Sequence, residues 1–179
     1  MYGMFSKDAI QSVFGDDELS VENCDSSANS ASCVIYDNTL GHSVVTVNAG
    51  VRSDGDDAKM AERVADLTKS GTEVDVPGLN GFDAARVSKD DSGVREKYYV
   101  GVATSNYLIH LIYTPGNSGT GDDAKAIAAL IKDADMNLGD MIAGDDQSAS
   151  SSAALAGGTE NAPTAAPGDA TGWLASRLG

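Results

Sequence analysis

The chain has 179 residues and a formal charge of -15 at pH 7, from 27 Asp and Glu against 12 Lys and Arg. That length suits one domain, or one domain with a tail, because single cores commonly close at about 100 to 200 residues. The charge argues against nucleic acid as a partner, since the surface has the sign of a phosphate backbone and no run of Lys and Arg offsets it.

At the N-terminus, Met1 to Lys7 lacks a cationic segment followed by a long apolar run, and does not read as a signal peptide. Ser6 is placed to cap a helix in which Ala9, Ile10, Val13 and Phe14 share a face, and Gly15 ends it. Cys24 and Cys33 follow, nine positions apart in a segment of Ser, Asn and Ala. A disulfide is the natural reading: closing a loop of about ten residues removes unfolded-state entropy worth roughly 3 kcal/mol, given an oxidising compartment. Two unrelated reduced thiols are the alternative. Zinc is disfavoured, because neither His42 nor His110 stands at a finger-like offset.

Cys33 to Tyr36 reads as a strand and Asn38 to Gly41 as a turn. The run from Ser43 to Val51 sends Val45, Val47, Ala49 and Val51 one way, which predicts a strand with one core face. Asp54 to Asp57 then open a helix in which Met60, Ala61, Val64 and Leu67 recur at helical spacing, closed by Gly71. Thr72 to Val76 is a strand stopped by Pro77-Gly78, Phe82 to Val87 a short strand, and Val94 to Thr104 a longer one. Ser105-Asn106 connects that strand to Tyr107 to Tyr113, the best hairpin signal in the chain. Both faces of this last strand are apolar, which places it centrally with helices on at least one side. The stretch is interrupted by His110 and too short to span a bilayer, so no transmembrane segment is expected. Asp122 and Asp123 cap a closing helix with Ile127, Leu130, Ile131, Ala134 and Leu138 on one face.

The predicted class is α+β over residues 1–139, an antiparallel sheet of about six strands with three helices packed against it. Ala, Ser, Gly and Pro dominate residues 140–179, which read as a flexible tail whose Trp173, Leu174 and Leu178 form one short apolar face. Gly55-Asp56-Asp57-Ala58-Lys59 and Gly121-Asp122-Asp123-Ala124-Lys125 are identical and each opens a predicted helix, so an internal pseudo-repeat is one reading. The other is that Gly-Asp-Asp simply starts helices well, its carboxylates answering the helix dipole.

Catalytic chemistry finds little footing in these residues. With two histidines in the chain, His42 reads as a solvated turn residue and His110 as a packed strand residue, and no Gly-x-Ser-x-Gly elbow or Walker loop occurs. The Asp clusters lack the order of a calcium loop, so neither a metal nor another cofactor is expected. Paired carboxylates for glycoside hydrolysis stay open, because spacing in space is not legible from order in sequence. Tyr98, Tyr99, Tyr107 and Tyr113 fall on adjacent predicted strands. Protruding tyrosines suit a ligand groove; tyrosines turned inward are sheet packing.

The order of elements resembles small actinobacterial cell-envelope lipoproteins. The residues carrying the likeness are Phe14-Gly15 closing a helix, Cys33-Val34-Ile35-Tyr36, and Val76-Pro77-Gly78-Leu79-Asn80-Gly81-Phe82-Asp83-Ala84-Ala85 ahead of the hairpin. The resemblance covers roughly residues 5 to 139. It implies an extracytoplasmic, sensor-like or PsbP-like α+β domain, although no export signal or lipid-accepting cysteine is present in these residues. The expected function is therefore a non-enzymatic extracytoplasmic binding domain, monomeric, taking a small ligand or an envelope protein. Tyr98, Tyr107, His110 and Tyr113 are the candidate ligand-binding residues and Cys24 and Cys33 the disulfide. The alternatives are a hydrolase using paired carboxylates and a structural interaction module working through the tail.

Overall fold

The computed structural model describes residues 3–15, 17–52, 59–116 and 122–154, the last stretch as backbone alone beyond Ile142. The chain order is α1 (Lys7–Phe14), β1 (Leu19–Ser27), β2 (Ser30–Asp37), β3 (His42–Val51), α2 (Met60–Leu67), β4 (Thr72–Val74), a 3-10 turn (Pro77–Leu79), β5 (Ala84–Asp90), β6 (Lys97–Ala103), β7 (Tyr107–Tyr113) and α3 (Asp123–Ala154). The strands form one open antiparallel sheet of seven, in the order β1-β2-β3-β7-β6-β5-β4. The fold is thus α+β, with three helices on the sheet.

β7 occupies the centre, as its sequence requires. Ile109, Leu111 and Tyr113 point to one face and are buried, while Leu108, His110 and Ile112 alternate to the other. The first face holds the main core: Ile10, Val13 and Phe14 of α1 and Ile127, Leu130, Ile131, Ala134 and Leu138 of α3 pack on Ile35, Val47, Val100, Ile109 and Leu111. α2 lies on the second face, where Met60 and Val64 pack on Ala103, Ala84 and Leu108. Gly101 makes that approach feasible, since a Cβ there would stand 2.9 Å from the carbonyl oxygen of Val64.

The strand missing from the six expected is β1. Glu22, Asn23 and Asp25 interrupt any apolar alternation, and an edge strand with one neighbour tolerates them. The cysteine segment is accordingly a hairpin, not a loop. A bulge between Glu22 and Asp25, with Asn23 at φ 49°, sets Cys24 against Cys33, and the two are joined by a disulfide across β1 and β2. Gly3, at φ 60°, lies against both sulfurs, and a side chain there would overlap that of Cys33.

A carboxylate in α3 holds the N-terminal segment. Asp133 Oδ2 accepts the Ser6 backbone N–H at 2.6 Å and Oδ1 accepts the Ser6 hydroxyl at 2.8 Å, while that hydroxyl accepts the N–H of Ala9 at 3.1 Å as the cap of α1. Asn137 completes the clamp by donating to the Met4 carbonyl at 3.1 Å. α3 itself starts on Asp122, whose carboxylate accepts the Lys125 N–H at 3.1 Å.

α3 also corrects the expected boundary between domain and tail. It runs through Gly139 and Asp140 to Ala154, and Ile142 is buried in the main core with Met141 packed beside it. Ile142 continues the stripe of Ala134 and Leu138 at four-residue spacing, and that burial outweighs the weak helix propensity of Gly139. The rest of the expected tail, 155–179 with Trp173, Leu174 and Leu178, lies outside the described residues, as do residues 54–57 and most of the first Gly-Asp-Asp pentapeptide. The strand halves β1-β2-β3 and β5-β6-β7 meet in mirrored order, as a two-fold axis normal to the sheet would arrange them. Such an axis would set both following helices on one face, whereas α2 and α3 pack on opposite faces.

Replacing Asp133 with Ala strips the Ser6 N–H and hydroxyl of a charged acceptor and is expected to cost about 2 to 4 kcal/mol of stability in chemical denaturation. Asp133→Asn, which keeps one acceptor oxygen, is expected to lose less.

Candidate functional site

The four residues singled out as a ligand site do not share a groove. Tyr98 and Tyr113 form a direct cross-strand pair with ring centroids 5.9 Å apart, and both are buried on the first face, 6% and 2% exposed. They are packing residues. Phe14 of α1 stands on the other side of Tyr113, at 6.0 Å. Tyr107 is half-buried at the opposite end of β7, packed against the core near Gly139. His110 points to the second face, away from all three.

The buried tyrosine pair secures the start of α3. Tyr113 donates to Asp123 Oδ1 at 3.3 Å, and the Tyr98 hydroxyl lies 2.8 Å from Asp123 Oδ2 and 3.0 Å from Glu96 Oε1, serving one acceptor at a time. Burial, followed by these carboxylates, pushes the Tyr98 phenol well above its ordinary range. Burial and then the Asp123 charge do the same to Tyr113. Lys89 pairs with Glu96 and sits 5.7 Å from the centroid of the Tyr98 ring, and its hydrogen bond holds Glu96 below the usual carboxylate range.

Among the described residues, the second face is where the sheet remains open. α2 covers the end at Ala84, Ala103 and Leu108. Beyond it, antiparallel register aligns Val34, Thr46, Ile112 and Tyr99 in one row across β2, β3, β7 and β6, all half-buried. The neighbouring row runs Ser32, Asn48, His110 and Gly101. His110 therefore sits at the margin of α2, its Nε2 shielded and without a hydrogen-bond partner among the described residues, and burial lowers its pKa so that it is neutral at pH 7.

A cleft of about 280 Å³ opens at the end of this face remote from α2, lined by His42, Ser43, Asp90, Gly93, Val94, Arg95, Lys97 and Tyr99. Its walls come from two parts of the chain. The β2–β3 turn fixes His42 and Ser43, because buried Asp37 accepts the N–H groups of Thr39 and Leu40 at 2.8 Å each and Gly41 supplies φ 69°. Lys97 and Tyr99 are two apart on β6 and so face the same way, with Arg95 on the connection just before them. Asp90, across from Lys97, is engaged by Ser92, whose hydroxyl and N–H donate at 2.6 and 3.0 Å; these bonds, with a smaller contribution from Lys97, lower its pKa. Arg95 is exposed and has no ion pair or side-chain hydrogen bond among the described residues. Both ring nitrogens of His42 are shielded and have no hydrogen-bond partner among the described residues.

Sequence reasoning passed over this cleft. Tyr99 was grouped with its neighbours although strand alternation turns it opposite to Tyr98, and that alternation was the available signal. The meeting of His42 with Lys97 depends on the β3-β7-β6 order and had none.

Two carboxylates do share a second cleft, of about 250 Å³, where Asp83 and Asp135 line a pocket with Thr104, Ser105 and Asn106. Asp83 is tied to Arg52 at 2.6 Å, and the same guanidinium donates to the Thr104 carbonyl. Among the described residues no group of three or more His, Cys, Asp or Glu is gathered as a metal site, and no helix is long and apolar enough to cross a membrane. No protein-family model, curated protein or solved structure matches the chain.

The raised phenols carry a stability consequence of definite sign. The unfolded chain releases their protons near pH 10 while the fold retains them, so stability is lost as pH rises above about 10. In urea titrations across that range, Tyr98→Phe with Tyr113→Phe is expected to flatten the decline; an unchanged slope would show that other groups cause it.

Proposed function

We propose that this chain is a non-catalytic extracytoplasmic domain that binds a small ligand on the part of its sheet that α2 leaves open. The observation that carries the reading is the division of the second face. One end is closed by the apolar contacts of α2, and the other ends in a cleft whose cations and tyrosine are not consumed in holding the fold together. A site for a small molecule is usually such a concavity, with few polar groups and an apolar wall.

The compartment rests on Cys24 and Cys33. Their bridge staples β1 to β2, Cys33 is wholly buried in the core, and the N-terminal segment passes over both sulfurs at Gly3. A disulfide built in at that depth suits an oxidising environment. The likeness to actinobacterial envelope lipoproteins points the same way. Hydrolysis by Asp83 and Asp135 has their shared cleft in its favour, but Asp83 is already engaged by the Arg52 guanidinium and so is not free to face a substrate.

Two measurements test the proposal. Protein alkylated rapidly in its native cells without reductant is expected to show both cysteines protected, and labelling of both would remove the extracytoplasmic assignment. Amide shift mapping with a small-molecule extract of the native medium is expected to cluster changes on Tyr99, Ile112 and the His42 turn. Changes confined to the Asp83 and Asp135 cleft, or none, would overturn the site.

A further inference from the structure

We infer that the cleft between the β2–β3 turn and the start of β6 is a receptor for the oxyanion head of a small acid, a carboxylate or a phosphate. The inference rests on the open face being a binding face, and adds the chemistry of what enters it.

The local charge runs against the molecule. In a chain of net -15, the cleft gathers Arg95 and Lys97 against one carboxylate, Asp90. Asp90 is already committed to the hydroxyl and N–H of Ser92, and Lys97 lies opposite it on the neighbouring strand. Arg95 has no partner of its own among the described residues. Other cations are engaged in pairs: Arg52 with Asp83, Arg86 with Glu73, Lys89 with Glu96 and Lys125 with Asp122. Among the described residues the cleft is thus where a guanidinium remains available, and a guanidinium presents its donors in the fork that matches a carboxylate or phosphate.

The other wall supplies further donors. Ser43 offers a hydroxyl, and His42 lines the cleft with an imidazole whose two nitrogens are shielded and unpartnered among the described residues, so that a turn of the ring, with no hydrogen bond there to break, is what would aim an N–H at an anion. Val94, fully exposed, and the ring of Tyr99 add the apolar part. At about 280 Å³ the cleft falls at the lower limit for ligand sites, which fits a head group with a short body and not a large cofactor.

The test uses the full chain, with inorganic phosphate and a short-chain carboxylate such as butyrate as separate probes, titrated at constant ionic strength against chloride. Saturable amide shifts at Ser43, Arg95, Lys97 and Tyr99 are expected from at least one probe, with an affinity on the order of 1 mM. Butyrate alone would identify a carboxylate site and phosphate alone a phosphate site. Arg95→Ala with Lys97→Ala, both on exposed side chains, is expected to keep the melting temperature and weaken the affinity about tenfold. His42→Gln, which keeps a donor, is expected to weaken it less than His42→Ala. Shifts that fail to saturate with either probe, or that survive the double substitution, would overturn the inference. If the native extract still perturbs the open face while neither anion does, the anion assignment fails and the binding face stands. If neither does, both fail.

Discussion

The pairing of β7 with β3 on one side and β6 on the other is the constraint from which the rest follows. Val47 lies opposite Leu111 and Leu111 opposite Val100, and these three are wholly buried, so the two halves of the chain are joined through the most apolar strand. A strand apolar on both faces favours cover on each. The first face is answered by α1 and α3, with a long stripe from Ile127 to Ile142. The second is answered by the eight residues of α2, with Met60 and Val64 as its buried side chains. That is too little to cover seven strands. Among the described residues the second face is therefore open beyond the reach of Met60–Leu67, and the cleft lies where that cover has run out.

The same constraint decides the fate of the tyrosines. Tyr98 and Tyr113 are on the face that α3 closes, so their rings join the core and their hydroxyls need acceptors there. Asp123, in the first turn of α3, meets both, and a carboxylate is also what the positive end of a helix favours. Tyr99, one residue along β6, turns to the other face and is left half-exposed beside Lys97. One step along a strand separates a structural tyrosine from one free to meet a ligand.

Strand and helix periodicity made most of this architecture legible. The apolar alternation of Val45, Val47 and Ala49, the hairpin at Ser105-Asn106, the central place of β7 and the helical spacing of Ile127, Leu130, Ile131 and Ala134 all appear in the structure. β1 was hidden because its stability comes from pairing with β2 and from the disulfide, neither of which leaves a pattern in Glu22-Asn23-Cys24-Asp25. The end of α3 was hidden because Gly139 carries a stop signal that burial of Ile142 overrides. The site was the least legible part. Candidate tyrosines could be named from the sequence, but which way each faced depended on the side α3 would take. That His42 approaches Lys97 depended on a strand order that brings residues over fifty positions apart to the same end of the sheet.

Acidity, the most conspicuous property of the sequence, has two roles at two distances. At short range its carboxylates are structural: Asp37 ties a turn, Asp122 caps a helix, Asp133 clamps the N-terminal segment and Asp123 receives the tyrosines. At long range they make a diffuse negative field that keeps the surface soluble. That field does not decide what enters the cleft. With a screening length of about 8 Å at physiological ionic strength, distant carboxylates are largely silenced, whereas a guanidinium in hydrogen-bond contact with a bound anion is not. A net charge of -15 and a site for an anion are therefore compatible, because the sign of a site is set by the groups within bonding distance and only weakly by the sum over the chain.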